Sequence, residues 1–407
     1  VFTPELGASG LPVLVWIHGG GFFAGGNASP WYRGLRFARD GVVLISINYR
    51  LGVEGFLHVK DGPSNRGVLD WLAALEWVQE NATAFGGDAS NVTIAGQSAG
   101  GMACALLLSM PAARGLFRRV VSMSGPVDAV GDLEPAERMG QELAAKLGVP
   151  SACSSLGELS DDRLLEAQAE LLPGAAGTPD AATLASRFGE RLLRLGPYVD
   201  GELITAHPID AIQAGAGRGI DLLVGTTEQE FNMMAATVSG PVDDETVTRA
   251  LARVGLSADQ VAAYRRVDPD LAPPALLGQV FTDRAFRLPT ARLAAARRGA
   301  PAGTYAYEFQ WRSPGLGGLL GAGHCVDIPF VFDVLDAERV EAVLGTDPPA
   351  PLARQMHRAC VDFADHGTPG WSTYDPDRRP TMIFDTVSDV LDDPLERQRT
   401  IWDGTGL

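Results

Sequence analysis

No apolar run in the chain approaches the roughly 18–20 residues needed to cross a bilayer, so no segment reads as a membrane span. Cysteine is scarce. Cys104, Cys153, Cys325 and Cys360 stand far apart, with no C-x-x-C or metal-ligand spacing, which leaves neither a redox pair nor a thiolate metal site to read. Their expected role is that of small buried hydrophobes. Basic charge is also short. Only Lys60 and Lys146 are lysines, and 33 Lys and Arg stand against 50 Asp and Glu, for a net charge of −17 and a pI near 4.8. Such a surface repels nucleic acid and anionic lipid, so neither is an expected partner. Repeats and low-complexity tracts are missing as well. With 46% hydrophobic and 20% charged residues the composition is that of a folded globular chain, and 407 residues fit one domain with insertions.

What is present is organised around Gly96-Gln97-Ser98-Ala99-Gly100. Val92, Thr93 and Ile94 read as a strand and the small residues from Ala99 onward as a helix start, so Ser98 falls on a G-x-S-x-G turn between them. The flanking glycines let strand and helix approach closely, and the Ala99 amide at the positive helix end is free to donate to an oxyanion. Upstream, the apolar run Pro12–Ile17 leads into His18-Gly19-Gly20-Gly21-Phe22-Phe23. Consecutive glycines between a buried strand and two bulky aromatics expose backbone amides, a second half of an oxyanion hole.

Apolar runs at Val42–Asn48, Phe117–Gly125, Asp221–Thr226 and Tyr305–Trp311 read as further strands, with an amphipathic helix over Leu69–Asn81. Alternation of this kind predicts an α/β fold with a doubly wound, mostly parallel sheet. Two helix-rich stretches, about 127–217 (broken by a loop at Pro173–Pro179) and 243–299, read as excursions over the carboxyl ends of the strands.

A serine nucleophile needs a histidine base and a carboxylate behind it. His357 lies within a helical pattern and His366 directly precedes Gly367, whereas His324 follows a glycine-rich loop reached from a strand, so topology selects His324. Topology does not separate Glu228 from Glu230 as the acid.

The motifs together resemble the type-B carboxylesterases, the family of para-nitrobenzyl esterases, mammalian carboxylesterases and cholinesterases. The resemblance rests on Val15–Phe22, Asn48–Gly52, Asp70 through Asp88, the Ser98 turn, Phe117–Gly125, Pro197–Gly201, Gly225–Glu230, Gly323–Phe332 and Trp371–Pro394. It implies an α/β-hydrolase fold, Ser98 as nucleophile, Glu230 as acid and His324 as base. It also implies oxyanion donors at Gly20, Gly21 and Ala99, and Ser124 as a partner of the acid. By the same resemblance the chain cleaves small-molecule carboxylic esters through an acyl-enzyme and needs no metal or organic cofactor. Lactone, carbamate or amide hydrolysis by the same triad, and a non-catalytic cholinesterase-like binding protein, are the competing readings.

Three departures stand out. Gln97 replaces the family's usual Glu, removing a charge that favours cationic substrates. Gln229-Glu230-Phe231 replaces Asp-Glu-Gly. Only seventeen residues precede His18 where the family has early strands. The expectation is therefore that Pro12–Ile17 forms an unpaired apolar edge, and that residues 1–407 alone are poorly soluble and weakly active. The chain opens on Val1 without an initiator Met, so any signal peptide would lie upstream, and a cytoplasmic setting is the expectation. Oligomeric state has no signal in the sequence.

Overall fold

In each central strand successive apolar side chains point to opposite faces, and a strand that is apolar throughout needs cover on both. The computed structural model, which describes residues 1–7, 9–172, 180–190, 193–233, 238–240 and 242–403, supplies that cover. Its strands are β1 (Leu11–Ile17), β2 (Val43–Ile47), β3 (Gly87–Gln97), β4 (Arg119–Met123), β5 (Gly131–Asp132), β6 (Tyr198–Val199), β7 (Asp221–Thr227), β8 (Thr304–Phe309), β9 (Pro380–Phe384) and β10 (Asp389–Asp392). Eight of them form one sheet in the order β10-β9-β8-β7-β4-β3-β1-β2, and β5 pairs with β6 apart from it. Every neighbouring pair in the large sheet is parallel except β9 with β10. This is the α/β-hydrolase arrangement that the motifs imply.

Val13, Val15 and Ile17 of β1 enter one core with the helices Arg66–Asn81 and Ala99–Ser109, while Leu14 and Trp16 enter the other beneath the helix Ala350–His366. Val120 and Val121 of β4, and Leu222 and Leu223 of β7, divide in the same way. The chain leaves the carboxyl end of β4 for the first helical excursion and that of β7 for the second. Each returns through a helix laid on the sheet, Pro208–Gln213 and Leu288–Ala296. The excursions carry their own apolar clusters, Met139, Leu143 and Leu147 in the first and Val247, Leu251, Leu276 and Phe281 in the second. The loop expected at Pro173–Pro179 lies outside the described residues.

The expected open edge is not where the sequence placed it. β1 is paired on both sides, with β2 and β3, because residues 43–47 return to lie parallel beside it. The outer strand is β2, and there Phe2 and Leu44 exchange two backbone hydrogen bonds of 2.8 and 2.9 Å.

Candidate active site

Ser98 stands between the last residue of β3 and the first of the helix Ala99–Ser109, with φ 59° and ψ −124°. A non-glycine residue in this region is strained and persists only where its surroundings fix it. They do so here. The Ser98 amide donates to the Met123 carbonyl at the end of β4, 2.9 Å away. On the other side, a Cβ at Gly100 would lie 2.0 Å from the Ile17 carbonyl oxygen, so the elbow helix sits against β1 only because residue 100 has none. The helix is buried along its whole length, which leaves its positive end poorly screened beside Ser98.

The glycine loop after β1 wraps the same point. Gly20 has φ 116° and Gly21 φ 62°, and the Gly20 carbonyl closes a turn by accepting from the amides of Phe23 and Ala24. Phe22 is fully buried against Phe56 and Trp71, its carbonyl accepts from the Gly52 amide at 2.6 Å, and Tyr49 Oη donates to the His18 carbonyl at 2.9 Å. With the loop pinned, the N–H groups of Gly20, Gly21 and Ala99 have no hydrogen-bond acceptor among the described residues.

The turn after β7 separates the two glutamates. Glu230 is buried, takes the Thr227 amide on Oε1 at 2.8 Å, and holds His324 Nδ1 on Oε2 at 2.5 Å. Glu228 instead accepts from the Arg312 guanidinium at 3.1 Å, and burial raises its pKa. For His324, burial disfavours the imidazolium, but Cys325 and Glu230 outweigh it and hold its pKa well above the ordinary value. Beneath it, burial and then the charge of Glu230 push Asp327 up to about 7. The other late histidines are engaged elsewhere. His357 is buried against the Val331 carbonyl, and His366 ends its helix before Gly367 at φ 80°.

Ser98 Oγ makes no hydrogen bond to His324 in this structure, and such a contact commonly tightens only in the substrate complex. Ser124 is buried at φ 45°, and its hydroxyl has no partner, so it does not bond Glu230 as the resemblance implies. Gln97 lies against the His324 ring. Cys104 and Cys360 are buried as expected, but Cys153 is exposed and Cys325 belongs to the site. Cys325 and Asp327 were missed because each reads as an ordinary loop residue until the fold places them. Their nearness to His324 in sequence was the only signal. Among the described residues, no group of three or more His, Cys, Asp or Glu is arranged to hold a metal, and no helix is long and apolar enough to cross a membrane.

The pattern described as the Carboxylesterase family matches residues 1–389. A para-nitrobenzyl esterase of Bacillus subtilis is 35% identical, over 98% of this chain and 81% of its own. The fumonisin B1 esterase of Sphingopyxis macrogoltabida is 32% identical, over 92% and 68%. The crystal structure of a Geobacillus stearothermophilus carboxylesterase superposes with a TM-score of 0.85 at 34% identity, covering 98% of this chain and 84% of that one.

Proposed function

The chain belongs to the carboxylesterase family and is a serine hydrolase of carboxylic esters, and we propose that Ser98, His324 and Glu230 carry its chemistry. The observation that supports this most is the 2.5 Å contact of buried Glu230 with His324 Nδ1, since it fixes the tautomer that leaves Nε2 free to act as base. His324 takes the Ser98 proton as Oγ bonds the ester carbonyl carbon. The carbonyl oxygen, now anionic, is met by the amides of Gly20, Gly21 and Ala99. Glu230 stabilises the imidazolium without taking its proton. That proton passes to the departing alkoxide, alcohol leaves, and the acyl group stays on Ser98. A water then gives a proton to His324 as its oxygen attacks the acyl carbon, and His324 returns that proton to Ser98 Oγ as the bond to the acyl carbon breaks and the carboxylic acid leaves.

The substrates we propose are neutral small-molecule esters, because Gln97 puts an amide where a carboxylate would attract cations. A non-catalytic role has no support in a chain that keeps all three residues. Ser98→Ala and His324→Ala should each lower turnover of a short-chain nitrophenyl ester by about 10³-fold or more, since members of such a unit act together. An organophosphonate should label Ser98 with one equivalent. Stoichiometric label on another serine would overturn the assignment.

A further inference from the structure

Gln97 is almost wholly buried, and its amide nitrogen lies 3.4 Å from His324 Nε2 and 3.5 Å from Nδ1. The two ring nitrogens flank Cε1, so a group in line with the lone pair of one cannot be equally near the other. The amide therefore rests against the ring and leaves the outward direction of Nε2 to Ser98. Its orientation is held from the other end. Cys325 Sγ donates to Gln97 Oε1 at 3.3 Å, and a Cβ at Gly19 would lie 3.4 Å from the same oxygen, so the carbonyl end is wedged between a thiol and the glycine loop. Cys325 adopts φ 69° to do this, a conformation that a side-chain-bearing residue rarely keeps without support.

We propose that Cys325 and Gln97 are positioning residues for the base, the thiol holding Gln97 with its N–H edge toward His324 so that the imidazole stays neutral at lower pH than an anionic residue 97 would allow. The inference rests on the reading of His324 as base. An N–H edge carries partial positive charge and favours the neutral ring, whereas a carboxylate at the same distance favours the imidazolium.

The groups that face His324 leave room for this effect. Glu230 touches Nδ1, Asp327 lies beneath, Cys325 adjoins, and the Phe286 ring 5.2 Å away is uncharged. Tyr32 faces Cys325, and the Tyr307 hydroxyl reaches Asp327 at 3.4 Å. Cys325 and Glu230 are thus the groups already raising the pKa of the ring, and Gln97 adds no carboxylate to them.

The test is the pH profile of kcat/KM, whose acid limb reports the base in the free enzyme. Wild type and the near-isosteric variants Gln97→Glu, Cys325→Ser and Cys325→Ala would be compared on a neutral short-chain ester. Gln97→Glu should move the acid limb up by about 1 to 3 units. Both Cys325 variants remove the thiol and with it that group's own upward pull on the imidazole, and Cys325→Ser, which keeps a donor for Oε1, sets the reference for Cys325→Ala. Cys325→Ala in addition frees the amide to turn its carbonyl toward the imidazolium, so its limb should lie above that of Cys325→Ser. An unmoved limb in Gln97→Glu, or equal shifts in Cys325→Ser and Cys325→Ala, would overturn the proposal. His324→Ala separates the two levels: full activity there sinks the base assignment itself, whereas an inactive His324→Ala beside an unmoved Gln97→Glu sinks only this inference.

Discussion

At the scale of single residues, a hydrogen-bond partner decides between two side chains of the same type. Glu228 and Glu230 share one turn, yet Glu228 is drawn to the Arg312 guanidinium and Glu230 to the imidazole. Glu230→Gln should lower kcat by about 10³- to 10⁴-fold, because a neutral partner neither fixes the tautomer nor offsets the imidazolium charge. Glu228→Gln should change it only mildly, since Arg312 is largely exposed and a partly solvated ion pair contributes about 0–1 kcal/mol. Steady-state rates on one ester rank the two, and the opposite order would move the acid to Glu228. Nothing in the local sequence separated them, because both are equally compatible with a turn after a strand. Ser98 and His324 were legible for the opposite reason. A serine between glycines at a strand–helix corner has few other uses, and His324 was the late histidine left once helix burial and helix termination had claimed His357 and His366.

Whole elements were readable wherever their environment is two-sided and apolar. β1, β2, β4 and β7 came out within a residue or two of their expected bounds because burial on both faces writes a continuous apolar run. β9 and β10 were not foreseen. They form an antiparallel hairpin at the sheet margin, and Asp389–Asp392 is mostly exposed, with an Asp at each end of only two apolar residues, so no period marks it. The π turn at Asp283–Arg287, wider than an α turn, was equally silent, with Arg287 buried between Asp283 and Glu308, each 2.8 Å away. The elbow gives an element-scale prediction. Gly100→Ala puts a methyl group into the Ile17 carbonyl, so the helix Ala99–Ser109 must retreat from β1 and carry the Ala99 amide with it. Overpacking of this kind costs about 1–3 kcal/mol, and both the melting temperature and ester turnover should fall. Gly115→Ala provides the comparison, since it also strains a glycine, at φ 84°, but meets nothing within 4 Å and should leave turnover intact. Equal turnover in the two variants would show that the close approach of helix and strand does not set the oxyanion geometry.

For the molecule as a whole, the order of strands was the part that local patterns did not carry. Apolar runs show that β1 is covered on both faces, but not that β2 returns beside it, and so the edge was assigned one strand too far inward. Burial also places titratable groups where their charge is unwelcome, and this makes global stability depend on pH. His18 and His357 are both buried, and burial lowers the pKa of each. In the unfolded chain each titrates near about 6.5. Below that value the unfolded chain binds protons that the folded chain refuses, so their contribution is complete above about pH 6.5 and falls with acid by up to about 1.4 kcal/mol per pH unit for each histidine. His324 has the opposite sign. Its raised pKa lets the folded chain hold a proton that the unfolded chain has released, a contribution present below the unfolded pKa and lost as pH rises through the folded one. Asp327, pushed up to about 7, takes up a proton in the fold over the range from about pH 7 to about pH 5.5 and has the same sign as His324, so two groups act on each side and the share of one histidine is read by difference between variants. His357→Asn, which keeps a donor for the Val331 carbonyl but cannot titrate, should therefore gain in denaturant midpoint relative to wild type as the buffer is taken from about pH 7 to about pH 5.5, by up to one proton's share. A gap between variant and wild type that stays constant over this interval would mean that His357 titrates in the fold as it does in the unfolded chain, and that its burial does not shape the response to acid.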